Sequence, residues 1–367
     1  MKRREFLTLA GVAYATNLLS PFEAIAKPFN RQKPIRRNTF YTKGKFLYDS
    51  LGNKIILRGI NLPLLDDWNF PQTDKLTELA KTGANAVRIQ WYKNYGQADR
   101  PSYSIADLDK FLTRCRANRI IPIVYLADLT CKSNVNLLNS ELIPWWTSKP
   151  VLSVLKKHQK YLIINLANEL GVYRWSNNPT TALNSFKDTY KNAIARIRQH
   201  LQVPIMIDAP DCGTSIEVFT KIGKELINSD RSRNLLFSCH AYWAGYNGML
   251  QLKPALDANL PIVFGEIANK QDENINNSTS YCYYDLDGTG KNHAPKNNFT
   301  YQKLLPILKQ QQIGWFAWSW WKDRCTERQM AENGDFSNLT PYGEDIVNNS
   351  VYGLKVTAKK SSAFGLI

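Results

Sequence analysis

Two glutamates each end an apolar run of this 367-residue sequence, at positions that suit acid–base chemistry. Glu169 closes the run YLIINLANE, and Glu266 lies in PIVFGEI. A charge so close to a core is costly unless it is paired or used. One such glutamate alone would be interpreted as a strand end that faces water. Two of them, accompanied by His, Arg, Tyr and Trp at the ends of similar runs, indicate an active site.

Glycoside hydrolysis typically uses a facing pair of carboxyl groups. One group must carry a proton for the departing sugar oxygen, and the other must be ionised to attack the anomeric carbon. Arg88 lies in the run AVRIQW and is predicted to keep Glu266 ionised by charge pairing. Tyr242 is predicted to donate a hydrogen bond to the same carboxylate. These neighbours favour Glu266 as the attacking group and Glu169 as the acid.

Other candidate residues suit the binding of a sugar. Asn168 can hold a substrate 2-hydroxyl, and Trp318 would form a flat floor under a pyranose ring. His240 is predicted either to tune the acid or to bind a sugar hydroxyl. The small size of Gly265 would let a sugar ring approach closely. Two further candidates for substrate contact lie at the ends of other runs: Asp128 and Trp320.

Eight short apolar runs, most of them followed by a helical pattern, must position these residues. The runs are ILRGIN (56–61), AVRIQW (86–91), IIPIVYLAD (120–128), YLIINLANE (161–169), VPIMIDAP (203–210), LLFSCHAY (235–242), PIVFGEI (261–267) and GWFAWSWW (314–321). Near-continuous apolar strands imply a parallel sheet that is covered on both faces. Eight strand–helix units predict a (β/α)8 TIM barrel, in which the ends of the strands bring functional residues to one face.

A β-hairpin around residues 51–53 is predicted to precede the barrel and to plug its bottom. A doubly wound open sheet is the alternative to a barrel. It is disfavoured because no GxGxxG or GxxxxGK[ST] motif follows an early strand. The chain has no internal linker, so residues 40–352 are predicted to form one domain, followed by a basic, loosely held tail at 353–367.

The N-terminus has the pattern of a bacterial export signal. A twin-arginine pair, one spacer and Phe-Leu occupy residues 3–7, an apolar stretch follows, and residues 24–26 form a small-x-small cleavage site. A basic amphipathic helix is the alternative interpretation. We therefore predict a twin-arginine signal at 1–26 and a basic linker at 27–39. The predicted location of the mature protein is periplasmic or secreted.

The composition is basic, with 47 Lys and Arg against 31 Asp and Glu and a net charge of +16. Such a balance suggests an acidic partner. The cations are scattered and no nucleic-acid motif accompanies them, so no nucleic-acid partner is predicted. A binder of acidic polymers stays a minor alternative. No later stretch of 18 or more apolar residues exists, so no membrane span is predicted in the mature chain.

No cofactor and no metal site are predicted. The four histidines, at 158, 200, 240 and 293, lack a ligand spacing such as HExxH. Asp285 and Asp287 in YYDLDGTG have an incomplete Ca²⁺-loop spacing, and a plain Asp-Gly turn is favoured. The six cysteines form no CxxC pair, and an exported protein can keep disulfides. The predictions for them are buried thiols at Cys115 and Cys239, and Cys282–Cys325 as the preferred bridge.

The motifs LRGIN, GANAVRI, INLANE, HAY, PIVFGE and GWFAWSWW together look like those of glycoside hydrolase family five, over roughly residues 40 to 350. That family is retaining, with its two catalytic glutamates on barrel strands four and seven. The resemblance implies that Glu169 is the acid/base and Glu266 the nucleophile. It matches the family's other active-site positions to Arg88, Asn168, His240, Tyr242 and Trp318.

The resemblance is nearest to the bacterial β-mannanase and endoglucanase branches. The mannanase-like pattern has His-Asp at the third strand, where this chain has Ala127-Asp128, so a sugar-contacting histidine is missing. The expected activity is retaining cleavage of β-1,4-linked mannan, glucomannan or cellulose-type glucan by a monomer. The loops 129–146, with Trp145-Trp146, and 268–298 are expected to be subsite walls. A non-catalytic polysaccharide-binding barrel is the alternative.

Overall fold

The structure, a computed structural model, describes residues 38–95 and 100–365. Its centre is a closed barrel of eight parallel strands, so the predicted (β/α)8 fold is confirmed. The strands are β1 (Tyr41–Lys43), β2 (Phe46–Tyr48), β3 (Lys54–Ile55), β4 (Arg58–Leu62), β5 (Ala86–Trp91), β6 (Ile121–Leu126), β7 (Ile163–Asn165), β8 (Ile205–Asp208), β9 (Leu235–His240), β10 (Ile262–Ile267), β11 (Lys270–Ile275), β12 (Ser278–Asp285) and β13 (Gly314–Ala317). The predicted export signal lies outside the described residues.

The barrel runs in chain order from β4 to β10, and β13 closes it between β10 and β4. Each of the eight apolar runs contains one barrel strand. The strands are buried along their whole length because one face packs inside the barrel and the other lies under helices. All their carboxyl ends therefore open at one face of the molecule.

Helices follow the barrel strands along the chain. They are α1 (Leu76–Ala80), α2 (Ile105–Ala117), α3 (Ile143–Trp146), α4 (Lys149–His158), α5 (Pro179–Arg198), α6 (Glu217–Ser229), α7 (Gly248–Asp257), α8 (Tyr301–Gln310), α9 (Pro341–Asn348) and α10 (Leu354–Thr357). Local sequence sets several of their starts. Ser104 and Asp107 form a capping box on α2, and the Thr300 and Thr340 side chains cap α8 and α9. Among the described residues, no helix is both long and apolar enough to span a membrane.

The N-terminal strands form a three-stranded antiparallel sheet, in which β2 and β3 are the predicted hairpin and β1 is an addition. Leu47 and Ile55 of this sheet are buried in one hydrophobic cluster with Phe316 from inside the barrel. The sheet thus covers the end of the barrel opposite the strands' carboxyl ends.

Three segments that were expected to be irregular contain ordered structure. The prediction of a loosely held tail is wrong: Leu354 is fully buried, Ala363 packs in the cluster below the barrel, and the Ser361 hydroxyl bonds to Asp49. Apolar residues among the tail's lysines anchor it. The expected loop 268–298 contains the hairpin β11–β12. The segment 129–146 contains a π-helical turn (Leu138–Leu142) and α3.

Candidate active site

The two glutamates meet at the open end of the barrel, as strand ends on one face require. Glu169 lies four residues beyond β7, and Glu266 lies within β10. Both are more than nine-tenths buried. One carboxyl oxygen of Glu169, one of Glu266 and a ring nitrogen of His240 all lie within 4.8 Å of one another. The structure therefore brings together the acid–base candidates that the sequence predicted.

Arg88, fully buried on β5, organises the base of the site. Its Nη1 donates to Oε1 of Glu266 at 2.8 Å, and its Nη2 donates to Oδ2 of Asp208 at 2.9 Å and to Oδ1 of Asn168 at 2.7 Å. Burial lowers the pKa of Arg88, but the carboxylates of Asp208 and Glu266 outweigh burial and raise it above its ordinary value. A planar guanidinium thus fixes three side chains at once.

The rest of the guanidinium is also satisfied. Its Nε donates to Asn165 Oδ1 and its Nη1 donates to Asn61 Oδ1, both at 3.0 Å. The guanidinium carbon lies 3.9 Å from the centre of the Tyr125 ring, at cation–π distance. Charge, hydrogen bonds and packing together leave Arg88 one position.

Glu266 is held on both oxygens. Arg88 donates to Oε1, and the Tyr242 hydroxyl donates to Oε2 at 2.8 Å. The pKa of Glu266 is raised above its ordinary value, chiefly by burial and also by the nearby Glu169. The charges of His240 and Arg88 and the Tyr242 hydrogen bond oppose this rise without outweighing it. Burial also raises the pKa of Tyr242 well above its ordinary range, so this hydroxyl keeps its proton and donates it.

His240, at the end of β9, connects the two carboxyl groups. Its Nδ1 lies 2.6 Å from Oε1 of Glu169 and 3.5 Å from Oε1 of Glu266. Burial lowers the pKa of His240, but Glu266 and Asp208 outweigh it and raise the pKa to about 10. His240 is therefore an imidazolium at neutral pH and donates to Glu169. This contact agrees with the first of its two predicted roles.

Two glycines set the position of the His240 ring. A Cβ at Gly213 would lie 2.5 Å from Cγ of His240, and a Cβ at Gly265 would lie 2.8 Å from its Nε2 and 2.3 Å from Oγ of Ser238. Gly265 is therefore required by the packing of His240 and Ser238. The predicted reason, room for a sugar ring, is not the one that the contacts give.

Asp208 was not singled out from the sequence, although it lies near the end of the fifth apolar run and is the last residue of β8. Its Oδ2 accepts from Arg88 and, at 3.3 Å, from the backbone N–H of Glu169, and it lies 3.7 Å from Nε2 of His240. Burial raises its pKa, but Arg88 and His240 outweigh burial and hold the pKa of Asp208 at about 2. Asp208 is thus a fixed anion beneath the site. The available signal was a carboxylate at the end of a buried strand.

The structure separates the remaining substrate candidates. Trp318 is half-buried and its Nε1 donates to the Asp323 carboxylate, so part of its ring surface is available. Trp320 is fully buried, and its Nε1 donates to the Gly334 carbonyl at 3.1 Å, so its predicted substrate contact is wrong. Asp128 is half-buried and accepts from the Lys93 backbone N–H at 3.1 Å, which ties together the ends of two strands.

The aromatic lining of the open face differs from the expected one. Trp146 is fully buried with its Nε1 bonded to the Leu166 carbonyl, so it is a core residue and no subsite wall. A cavity of about 1270 Å³ opens by the loops after β4, β5, β10 and β13. Tyr92, Tyr95 and Trp321 line it, together with Asn269 and Lys270 from the expected wall 268–298.

Two disulfides lie at this face. Cys282–Cys325, the bridge preferred from the sequence, joins β12 to the loop after β13. Cys131–Cys212 was not predicted; it joins the loop after β6 to the loop after β8. Cys115 and Cys239 are buried free thiols. The pairing of Cys131 with Cys212, 81 residues apart in sequence, has no signal in a single chain.

The described part of the chain contains two groups of side chains that could hold a metal ion. The first is Glu169, His240 and Glu266. The second is Cys131, Glu169 and Cys212, but its two sulfurs are bonded to each other. The carboxylates of Asp285 and Asp287 are not a free pair, because both lie close to the side chain of Lys270. The Lys270 ammonium lies 2.5 Å from Asp285 and 3.7 Å from Asp287. The Asp-Gly segment is therefore part of an ion-pair cluster.

A TIM barrel with two facing glutamates at its open end is typical of O-glycosyl hydrolases, and the family comparison shows that class. The sequence model of the cellulase family, glycosyl hydrolase family 5, matches residues 48–324. The chain belongs to this family, and the protein is an O-glycosyl hydrolase.

Similar proteins carry mannanase names. The mannan endo-1,4-beta-mannosidase of Cellvibrio japonicus is 27% identical over 335 residues, which cover 89% of this chain and 69% of that protein. That of Salipaludibacillus agaradhaerens is 26% identical, over 89% of this chain and 96% of that protein. The β-mannanase of Thermomonospora fusca superposes with a TM-score of 0.71 at 22% identity, over 89% of this chain and 99% of that one.

Proposed function

We propose that this protein is a retaining endo-β-1,4-mannanase that acts on mannan or glucomannan by double displacement. The substrate class rests on the mannanase names of its relatives from Cellvibrio and Salipaludibacillus. The mechanism rests on one observation, the carboxyl oxygens of Glu169 and Glu266 within 4.8 Å of each other. Retaining enzymes place the two groups about 5–5.5 Å apart, whereas inverting enzymes leave about 6.5–9.5 Å for a water molecule.

In the first step Glu266 attacks the anomeric carbon and the bond to the departing sugar breaks. Glu169 gives its proton to the departing glycosidic oxygen. Arg88 and Tyr242 hold the Glu266 carboxylate in one orientation. Because the attacking oxygen is already oriented, less conformational entropy is lost in reaching the transition state. The product of this step is an α-linked glycosyl ester of Glu266.

In the second step Glu169 takes a proton from water, and the water oxygen attacks the same anomeric carbon. The ester bond to Glu266 breaks, and the sugar leaves with its original β configuration. Nδ1 of His240 lies 2.6 Å from Oε1 of Glu169 and holds the carboxyl group in place for this step. Asn168, fixed by Arg88, is placed to bind the sugar 2-hydroxyl.

The charge count of the site supports this division of roles. Asp208, Glu169 and Glu266 face the cations Arg88 and His240, so one proton on a carboxyl group balances the charges. Asp208 and Glu266 both contact the guanidinium. Glu169 does not contact the guanidinium, and on that ground we assign it the role of proton donor.

A screen of the purified protein against mannan, glucomannan, carboxymethyl cellulose, xylan and chitosan tests the proposal, with release of reducing ends as the readout. We expect the highest kcat/KM on mannan or glucomannan. Preference for carboxymethyl cellulose would identify a glucanase, the alternative that the cellulase family model favours. Binding without hydrolysis of any glycan would support the non-catalytic alternative.

Export through the twin-arginine route is part of the proposal. It rests on the N-terminal sequence pattern, and folding before export suits a barrel whose first and last strands must meet. The periplasm or the exterior would also favour the formation of both disulfides.

A further inference from the structure

The Cys131–Cys212 disulfide crosses over the strand that leads to Glu169. In the barrel, β7 lies between β6 and β8. Cys131 follows β6 by five residues and Cys212 follows β8 by four. The bridge therefore ties the two neighbouring loops together at the point where the β7 chain emerges with Glu169.

One sulfur of this bridge touches the Glu169 carboxyl group. Sγ of Cys131 lies 3.1 Å from Oε2, while the other oxygen, Oε1, lies 2.6 Å from Nδ1 of His240. A disulfide sulfur carries no hydrogen, so this contact limits the rotation of the carboxyl group without donating to it. In the described part of the chain no N–H or O–H group donates to Oε2. Oε2 is therefore the oxygen that is free to hold the catalytic proton.

Backbone contacts join the same three loops. The Gly171 N–H donates to the Lys132 carbonyl at 2.8 Å, and the Asp211 N–H donates to the Gly171 carbonyl at 3.0 Å. Cys131, Glu169 and Cys212 all have positive φ angles, of 57°, 51° and 51°. Such left-handed backbone at non-glycine residues persists only where the surroundings hold it. The bridge is the covalent part of those surroundings.

We propose that the Cys131–Cys212 disulfide is a positioning element of the reaction, which aims Oε2 of Glu169 at the glycosidic oxygen and keeps it free of competing donors. This inference rests on the proposed role of Glu169 as acid/base. Reduction by a dithiol would add two electrons and two protons, break the S–S bond and give two thiols. The Cys131 thiol would then be a donor facing Oε2, and the loops would lose their covalent link.

Two substrates that differ in their leaving group distinguish two roles of the disulfide. It could position the acid, or it could only stabilise the fold. Departure of a sugar alcohol needs a proton from Glu169, whereas 2,4-dinitrophenolate departs without one. For Cys131→Ala/Cys212→Ala we expect kcat/KM on mannohexaose to fall about tenfold or more, and kcat/KM on 2,4-dinitrophenyl β-mannobioside to stay within about twofold. The matched control, Cys282→Ala/Cys325→Ala, lacks the other bridge and should change the two values by the same factor.

Equal losses on both substrates in Cys131→Ala/Cys212→Ala would overturn the proposal and leave the bridge a purely structural role. No loss on either substrate would overturn it as well. If this variant does not fold, the Cys282→Ala/Cys325→Ala variant, which keeps Cys131–Cys212, is reduced with dithiothreitol while folded and then reoxidised. Reduction should lower kcat/KM on mannohexaose and spare the aryl glycoside, and reoxidation should restore the lost activity. A wild type that hydrolyses neither substrate would contradict the proposed function itself, a result distinct from the others.

Discussion

Nδ1 of His240 lies 2.6 Å from Oε1 of Glu169, so the imidazolium that ends β9 directly contacts the proposed acid/base. Its other neighbours, Asp208 and Glu266, keep this ring protonated with a pKa of about 10. One buried cation therefore lies close to both of the carboxyl groups that we propose to be catalytic.

The roles of the two carboxyl groups can be separated by azide. Glu266→Ala removes the attacking group, so hydrolysis should fall by about four or more orders of magnitude, and azide should restore turnover with an α-linked glycosyl azide. Glu169→Ala should spare the first step on activated aryl mannosides, and azide should then give the β-linked product by attack on the covalent intermediate. Nuclear magnetic resonance of the isolated azides gives the configuration.

The reverse pattern of azide configurations would exchange the two assignments. Undiminished activity in both variants would place the active site elsewhere. Glu266→Gln and Glu169→Gln serve as matched controls, because they keep the side-chain volume and remove only the ionisable oxygen.

Replacement of His240 should move the acidic limb of the pH–rate profile upward. The nucleophile must be ionised, and the His240 charge lowers the pKa of Glu266 against the effect of burial. His240→Asn removes that charge, so the pKa of Glu266 rises and the acidic limb of kcat/KM on an aryl mannoside should shift by about one pH unit or more to higher pH. A limb that stays in place or moves to lower pH would contradict this coupling.

Asp208→Asn should destabilise the protein and change the pH dependence of its stability. The variant leaves the buried Arg88 with one fewer counter-charge, a change that typically costs about 3–5 kcal/mol of unfolding free energy. Because the pKa of Asp208 is lowered from 3.8 to about 2, its ionisation contributes about 2 kcal/mol that is present above pH 4 and is lost as the pH falls towards 2.

Denaturant unfolding at pH 7 and at pH 2–4 measures both effects, and the variant should lack the loss below pH 4. Asp257→Asn is the control, since its ion pair with Lys253 is exposed and such pairs contribute about 0–1 kcal/mol. An Asp208→Asn variant as stable as Asp257→Asn would show that the buried pair contributes little.

Two neighbouring tryptophans should differ in what they support. Trp318→Ala should raise KM or lower kcat/KM on mannooligosaccharides by about tenfold or more, because the half-buried ring is placed to stack on a sugar, with a small change in Tm. Trp320→Ala should lower the unfolding free energy by about 3–5 kcal/mol, because that side chain is fully buried. Kinetics and thermal unfolding of both variants check this contrast, and identical behaviour would contradict it.

Export should depend on the arginine pair near the N-terminus. Changing Arg3 and Arg4 to Lys is expected to hold the protein in the cytoplasm, as judged by fractionation and activity assay of the periplasm and medium. Lys2→Arg, which keeps the pair and the charge, is the control. Export of the double-Lys variant at the wild-type level would mean that the signal is read by another route.

The sequence by itself determined the barrel and predicted most of the residues that meet at its open end. Apolar runs of six to nine residues, most of them followed by a helical pattern, suffice to predict parallel strands. Glu169, Glu266 and His240 lie at or near the carboxyl ends of apolar runs, and this position predicted that they lie at the open face. Arg88 lies in the middle of its run, and its pairing with Glu266 was predicted from charge.

Only the tertiary structure decided what depends on contacts between distant segments. Trp318 and Trp320 have the same local pattern, but the chain after β13 buries one and leaves the other half-exposed. The Cys131–Cys212 pairing and the counter-ion role of Asp208 arise from closure of the barrel, which brings together strands that are far apart in sequence. Periodicity reports which face of an element is apolar, but not which residue of another element meets it.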